Sequence, residues 1–316
     1  MSLLTNTARG LFPVAPTPFL PDGAIDWDSL DRLMALYEGA GAEGVTILGV
    51  MGEAGKLSAE ESAALVARVC RATRLQVVVG ITAPGFAAMA ALAGVAMEAG
   101  AAGVMAAHPQ GLKGDAGLVE HMATLAGMLP GVPLVLQDFP LVTGVHVPVP
   151  VILRLAETCP SIVMLKHEDW PGLSKITALR AAEAAGTRRL SILCGNGGQF
   201  LPEELARGAD GAMTGFAYPE ALAAIISAQA ARDTERAHDI FDAILPLLRM
   251  EAQPGLGLSV RKHVLWRRGV LAHPSLRRPG GALDAASAAE VEALMARQAR
   301  RLSGLGVKTP SQSVRF

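Results

Sequence analysis

Short apolar runs alternate with longer amphipathic segments along most of this 316-residue chain. Eight runs are candidate strands, and they cover residues 11–15, 44–48, 77–81, 103–107, 133–137, 162–166, 191–194 and 211–214. The runs are almost wholly apolar and do not alternate with polar residues, which is typical of parallel strands that are buried on both faces. The pattern therefore predicts a repeated strand–helix architecture.

A Gly-x-x-Gly turn recurs where a helical pattern gives way to a strand. Its three copies lie at residues 41–44, 100–103 and 208–211. The first glycine suits a left-handed cap at the end of a helix, because glycine has no Cβ to clash there. The second glycine allows close packing where the strand begins. Three copies of one turn indicate a single repeated unit.

Eight strand–helix units over about 230 residues match the size of a TIM (β/α)8 barrel. A doubly wound sheet would require a glycine-rich phosphate turn after its first strand, and residues 16–19 (Pro-Thr-Pro-Phe) do not form one. From residue 234 onward helical patterns replace the strands, over 234–250, 256–268 and 285–302. We therefore expect an α/β barrel over residues 1–233 and a C-terminal helical extension over 234–316 that serves packing and oligomerisation.

Composition excludes several classes of protein. A chain that is 51% hydrophobic buries enough surface to fold, and its formal net charge of −1 gives no general attraction to nucleic acid or acidic membranes. The three scattered cysteines form no CxxC pair and fit a reducing compartment. Residues 1–9 lack the features of a signal peptide, and glycines interrupt the apolar stretch 86–107. We expect a cytoplasmic protein with no nucleic-acid or membrane partner.

The C-terminal ends of barrel strands are where reactive side chains lie. Lys166 closes the sixth run, and it is one of only six lysines among 28 basic residues. Burial lowers the pKa of a lysine, which yields a nucleophilic amine able to form a Schiff base with a ketone. The alternative is a lysine that snorkels to solvent or pairs with a strand-end carboxylate.

Several motifs together resemble the dihydrodipicolinate synthase/N-acetylneuraminate lyase family. They are Leu-Phe-Pro-Val-x-x-Thr-Pro-Phe at residues 11–19, Gly49-x-x-Gly52-Glu53, Lys166, and Gly-x-x-Gly-Ala-Met-Thr-Gly at residues 208–215. The resemblance implies a barrel with a C-terminal helical domain, assembled as a homo-oligomer, either a tetramer or a dimer. It also implies that Lys166 forms a Schiff base with pyruvate or another small 2-oxo acid, and that no metal or organic cofactor is needed.

The chain departs from this family at three positions. Val50 and Met51 replace a pair of hydroxyl residues, so a substrate carboxylate bound there must be held by backbone N–H groups. Gln137 stands where the family has a catalytic tyrosine, and Val142 where the synthases have an arginine. These losses disfavour dihydrodipicolinate synthase activity, because valine cannot replace a guanidinium. Gln137-Asp138-x-Pro140 with Lys166-x-Glu168 resembles the branch of 2-keto-3-deoxy sugar-acid dehydratases.

The missing tyrosine leaves a proton-transfer role open. Glu168 lies two residues beyond Lys166 and therefore on the same side of a continued strand, which makes it a general acid/base candidate; a solvated loop carboxylate is the alternative. Further titratable or phenolic groups at strand ends are Asp138, Glu53, His108, His167 and Tyr218. The predicted catalytic residues are Lys166, Glu168, Gln137 and Asp138, and the predicted substrate-binding residues are Val50, Met51, Gly52, Glu53, Gly195 and Met213.

The sequence thus predicts a lyase that works through a Schiff base. It would act as an aldolase or dehydratase on pyruvate or a 2-keto-3-deoxy acid. One alternative is a synthase that forms 4-hydroxy-tetrahydrodipicolinate. The other is a barrel that binds a keto acid without turnover, although a buried amine without a task would cost stability.

Overall fold

The computed structural model describes residues 2–170 and 172–309, and within them eight parallel strands form one sheet. The strands are β1 (Gly10–Leu11), β2 (Gly44–Ile47), β3 (Gln76–Gly80), β4 (Gly103–Ala107), β5 (Leu134–Asp138), β6 (Ile162–His167), β7 (Ser191–Cys194) and β8 (Gly211–Ala212). Strand β1 pairs with β8, and a bridge between Val14 and Thr46 joins the remaining edges. The predicted (β/α)8 barrel is confirmed.

Helices cover the outside of the barrel and continue beyond it. They are α1 (Trp27–Gly39), α2 (Ala59–Ala72), α3 (Phe86–Glu98), α4 (Asp115–Met128), α5 (Pro140–Thr143), α6 (Val149–Thr158), α7 (Leu173–Ala184), α8 (Leu201–Ala206), α9 (Pro219–Ala230), α10 (Thr234–Glu251), α11 (Gly257–Arg267) and α12 (Ala285–Gly304). Asp26 caps the N-terminus of α1, since its carboxylate accepts a hydrogen bond from Ser29 N. Ser58 and Glu61 form a capping box at the start of α2.

The first strand is shorter than the predicted run over 11–15. Pro13 has no N–H, so it cannot donate a ladder hydrogen bond toward β2. Extended backbone nevertheless continues past β1, because Phe12 N donates to Ala212 O and Val14 N donates to Thr214 O. The interruption therefore shortens the formal strand without opening the barrel.

The recurrent glycines behave as predicted. Gly41, Gly100 and Gly208 have φ values of 77°, 90° and 99°, which lie in the left-handed region that favours glycine. At the start of β2, a Cβ on Gly44 would lie 2.1 Å from a ring carbon of Phe12. The second glycine of this turn is therefore required by the side chain that fills the barrel.

Alternate residues along each strand pack into two separate apolar clusters. One cluster fills the barrel interior and contains Phe12, Val14, Val78, Met105, Val135, Met164, Leu193 and Met213. The other lies between the sheet and the helices and contains the intervening strand residues. Because side chains alternate between the faces of a strand, this division shows which strand-end residues face the interior.

The C-terminal helices pack on one side of the barrel. Helix α10 contacts α9 and α12, and α11 lies against loops that follow the strands. Arg261 in α11 donates through Nη2 to Gly215 O at 2.6 Å, directly after β8. Across residues 2–170 and 172–309, the chain forms no helix with both the length and the apolarity that crossing a bilayer requires.

Candidate functional site

Lys166 and Gln137 lie side by side inside the barrel. Each is two residues beyond a member of the interior cluster, Met164 on β6 and Val135 on β5, and the two are register partners. Lys166 is only 4% exposed. The structure therefore places the amine in a buried position at the carboxyl ends of the strands.

Glu168 completes a polar group with these two residues. Its backbone N donates to Asp138 O at 2.9 Å, so the extended pairing continues and its side chain returns to the interior. Oε2 of Glu168 accepts a hydrogen bond from Gln137 Nε2 at 2.7 Å and lies 3.2 Å from Lys166 Nζ. The site thus contains an amine, a carboxylate and an amide that orients the carboxylate.

Gly195 follows β7 and provides the space that Glu168 occupies. A Cβ at this position would lie 2.3 Å from Glu168 Cγ and 2.6 Å from its Oε1. The N–H of Gly195 already donates to His167 O at 2.9 Å. Gly195 therefore contributes room for a carboxylate side chain and not the free N–H group expected of a substrate-binding turn.

Asp138 and His167 lie on the opposite face of the same strand ends. Asp138 forms an ion pair with Lys175 of α7 at 2.7 Å, and burial nevertheless raises the pKa of Asp138 to about 6. Burial lowers the pKa of His167 to about 4, and its Nε2 contacts Gly172 O at 3.1 Å. This placement does not support the predicted catalytic role of Asp138, because strand alternation turns its carboxylate toward α7.

The loop after β2 begins with a 3-10 turn over Val50–Gly52, and a second 3-10 turn follows over Ala54–Lys56. The N–H of Gly52 donates to Gly49 O, and Thr17 Oγ1 donates to Gly52 O at 2.6 Å. Met51 packs against the interior cluster, whereas Val50 is exposed. The turn therefore borders the barrel interior, and its first N–H groups have no acceptor within the turn.

Glu53 serves the C-terminal extension, which differs from its predicted role in substrate binding. Its carboxylate lies 2.5 Å from Lys262 Nζ and 2.7 Å from Lys56 Nζ. It also accepts a hydrogen bond from Arg277 N at 3.1 Å. These contacts leave little capacity for a substrate, and no short-range signal in the sequence marks a partner about 209 residues away.

The remaining candidates divide between the two clusters. Met213 faces the barrel interior, at the level of Gly195. His108 points outward, where Nε2 contacts Leu118 O and burial lowers its pKa to about 4. Tyr218 belongs to the outer cluster with its ring 4.1 Å from the Arg268 guanidinium. The Tyr218 phenol therefore does not occupy the interior position that the absent tyrosine leaves.

Comparisons with known proteins agree with this architecture. Residues 7–298 match the dihydrodipicolinate synthetase family. A crystal structure of dihydrodipicolinate synthase from Rhodopseudomonas palustris is 48% identical, with a TM-score of 0.93 over 94% of this chain and 100% of that one. A 4-hydroxy-tetrahydrodipicolinate synthase from Methanothrix thermoacetophila is 31% identical over 76% of this chain and 81% of its own. An L-2-keto-3-deoxyarabonate dehydratase from Azospirillum brasilense is 28% identical over 95% and 96%.

Proposed function

Because the chain belongs to the dihydrodipicolinate synthetase family, we propose that it is a class I lyase that forms a Schiff base with pyruvate or a related 2-oxo acid. The observation that carries this proposal is the buried amine of Lys166, 3.2 Å from the carboxylate of Glu168. Named relatives include a dehydratase and synthases, all of which are lyases. The family supports the reaction class and the role of Lys166, and the contacts of Glu168 and Gln137 support theirs.

Lys166 is the proposed nucleophile. Its neutral amine attacks C2 of the 2-oxo acid, the carbonyl oxygen leaves as water, and a protonated imine forms. The imine then accepts the electron pair released at C3, which stabilises the carbanion character of the transition state.

Glu168 is the proposed general acid/base. For aldol cleavage its carboxylate removes the proton of the C4 hydroxyl, the C3–C4 bond breaks, and the electron pair moves into the enamine. For dehydration Glu168 removes a proton from C3 and returns it to the C4 hydroxyl, the C4–O bond breaks, and water leaves. Gln137 Nε2 donates to Glu168 Oε2 and so positions the carboxylate that replaces the family tyrosine.

The substrate carboxylate is proposed to bind at the turn after β2. The N–H groups of Val50 and Met51 begin this 3-10 turn and have no partner within it. Gly52 closes the turn, and Met213 forms part of the interior wall opposite. Glu53 and Asp138 are excluded from this proposal because lysine partners already neutralise both carboxylates.

Borohydride trapping tests the proposed function. The wild-type protein is incubated with pyruvate or a 2-keto-3-deoxy acid and reduced, and the mass of the intact chain is measured with Lys166→Met as the control. We expect a stable adduct on the wild type alone. Absence of an adduct with every keto acid tested would refute the enzyme proposal. An adduct without any product would support the alternative of a keto-acid-binding barrel.

Synthase activity is the second candidate, because the 48% identical structure is a dihydrodipicolinate synthase. Gln137 and the half-exposed Val142 oppose it, since both replace groups that the synthases use. Formation of 4-hydroxy-tetrahydrodipicolinate in the same preparation that forms the adduct would favour the synthase. Release of pyruvate or loss of water from a 2-keto-3-deoxy acid would favour the aldolase or the dehydratase.

We further propose the organisation of the protein. The catalytic barrel would comprise residues 1–233 and the helical domain residues 234–316, with α10 packed back onto α9 at the boundary. Residues 1, 171 and 310–316 of these ranges lie outside the described residues. A homo-oligomer, tetrameric or dimeric, follows from the family resemblance and is tested by sedimentation velocity. The three buried free cysteines fit a reducing cytoplasm.

A further inference from the structure

Large apolar side chains are exposed around the mouth of the barrel. Across residues 2–170 and 172–309, seven large hydrophobic side chains are exposed, and four of these follow β2, β5 or β6. They are Val50 at 57%, Leu141 at 64%, Val142 at 40% and Trp170 at 45%. We call these four residues together with Met51 the apolar rim. Exposed apolar side chains concentrated in one region mark a binding surface.

The apolar rim is continuous with the catalytic group. Met51 packs against the barrel interior, and Trp170 lies two residues beyond Glu168. The Trp170 ring meets Phe200 edge-on, with centroids 5.4 Å apart, which braces it over the loop after β7. Along the chain, the apolar rim therefore begins within a few residues of Gln137 and Glu168.

Helix α5, which follows β5 and carries Leu141 and Val142, is held in place by hydrogen bonds. Gln110 Nε2 donates to Val142 O at 3.0 Å, which ties the loop after β4 to helix α5. Thr143 Oγ1 donates to Phe139 O at 3.0 Å within the same helix. These polar atoms are thus used locally, while the alkyl side chains of Leu141 and Val142 remain exposed in the segment that follows β5.

We infer that the substrate is a 2-oxo acid whose distal group, beyond C4, is apolar and uncharged. This inference rests on the proposed function and narrows its substrate class. An apolar wall gains free energy from apolar surface and gives no hydrogen bond to the hydroxyls of a sugar acid. Val142 also provides no guanidinium for a distal carboxylate.

Aldol cleavage of such a substrate needs no reactant other than water. A 4-hydroxy-2-oxo acid with an aryl or alkyl group on C4 condenses with Lys166 and releases water. Glu168 takes the proton of the hydroxyl, the C3–C4 bond breaks, and the apolar aldehyde leaves. The enamine takes a proton at C3, and water hydrolyses the imine to give pyruvate and the free amine.

The test compares two matched substrates. The kcat/KM for substrate consumption, by cleavage or by dehydration, is measured with 4-hydroxy-4-phenyl-2-oxobutanoate and with L-2-keto-3-deoxyarabonate, which differ in the group on C4. We expect the phenyl compound to be preferred by about tenfold or more, the range that a hydrophobic pocket provides. Val142→Arg should reduce that preference about tenfold, because a hydrated guanidinium replaces apolar surface beside the aryl group. Met128→Arg, an exposed position at the end of α4, should not change it.

The outcomes distinguish this inference from the proposed function. Equal or better turnover of the sugar acid, with an adduct on wild type, would overturn the substrate class and leave the lyase proposal intact. Failure to form any adduct would overturn both. An unchanged preference in Val142→Arg, accompanied by a smaller sedimentation coefficient, would assign the apolar rim to contact between copies of the chain and would also overturn the inference.

Discussion

Two buried lysine–glutamate pairs lie near the mouth of the barrel and differ in how completely their charges are satisfied. Lys262 Nζ lies 2.5 Å from Glu53 Oε1, donates to Ser275 O at 2.9 Å and sits 4.5 Å from the centre of the Phe19 ring. Lys166, in contrast, has Glu168 as its only ionic partner among residues 2–170 and 172–309, at 3.2 Å.

The difference teaches that burial alone does not identify a reactive amine. Burial lowers the pKa of Lys262 to about 8, yet its ammonium donates to Glu53 and Ser275 and lies over the Phe19 ring. Lys262 therefore joins α11 to the loop that follows β2. Lys166 has fewer polar contacts than Lys262 and lies beside Glu168, which Gln137 orients. Its amine is therefore the better candidate for reaction with a substrate.

The strongest test of this contrast is Lys166→Met. We expect turnover to fall by at least about 10⁴-fold, because no other group supplies the nucleophile. The free energy of unfolding should also fall, by about 3 kcal/mol, because Glu168 stays buried and loses its only ionic partner among residues 2–170 and 172–309. Product assays and urea denaturation measure the two quantities. Turnover above one tenth of wild type would contradict the role of Lys166.

The reciprocal test is Lys262→Met. Removing one member of a buried ion pair should lower the free energy of unfolding by about 3 kcal/mol, because Glu53 keeps its charge while losing a partner. Urea denaturation measures the change, with the exposed Lys113→Met as control. Wild-type stability of Lys262→Met would show that the pair does not hold the C-terminal extension to the barrel.

Glu168→Gln separates proton transfer from Schiff-base formation. Turnover should fall by about 10² to 10⁴-fold, the usual contribution of a general acid/base, while the reduced adduct with pyruvate still forms. Glu157→Gln, on the exposed face of α6, is the matched control. If Glu168→Gln turns over like wild type, the carboxylate is a solvated loop group and is removed from the mechanism.

Gly195→Ala tests the position of that carboxylate. The added Cβ would lie 2.3 Å from Glu168 Cγ, so the side chain must move. Turnover should drop by about 10 to 100-fold, since a displacement of about 1 Å can cost that much. Steady-state kinetics provide the measurement, and Gly127→Ala in α4, where the Cβ has open space, serves as control. Equal kinetics in both variants would show that Glu168 is not held against Gly195.

The smallest expected effect concerns a buried histidine outside the site. Burial lowers the pKa of His108 from 6.5 to about 4, so the folded state binds this proton less readily than the unfolded state. Its contribution to stability is therefore complete above pH 6.5 and is lost as the pH falls toward 4. We expect His108→Gln to weaken the fall in stability between pH 6.5 and 5 by about 1 to 2 kcal/mol. Identical pH profiles from urea denaturation would refute this account.

Much of the fold could be predicted from the sequence, because its signals are local. Apolar runs, the Gly-x-x-Gly turn and the Ser58–Glu61 capping box each need only neighbouring residues, and the structure contains them. The ends of the strands were less predictable where Pro13 removes a donor. Strand alternation also correctly placed Glu168 on the side of Lys166.

The site was less predictable because its contacts are distant in sequence. Gln137 and Asp138 are neighbours in the sequence and were both predicted to be catalytic. Because side chains alternate along a strand, however, they point to opposite faces of β5. The partner of Glu53 lies in α11, and the packing of that helix against the barrel decides the role of the carboxylate. The role of Gly195 depends on where the Glu168 side chain lies, because that side chain fills the space beside the glycine. Such contacts follow from tertiary packing, which no local pattern specifies.

Peptide mapping of the borohydride-reduced pyruvate adduct tests the central claim most directly. Both buried lysines are present in the same wild-type molecule, so the measurement compares them under identical conditions. The account predicts modification of the peptide that contains Lys166 and an unmodified peptide that contains Lys262. An adduct on Lys262, or equal modification of both lysines, would contradict the assignment of Lys166 as the nucleophile.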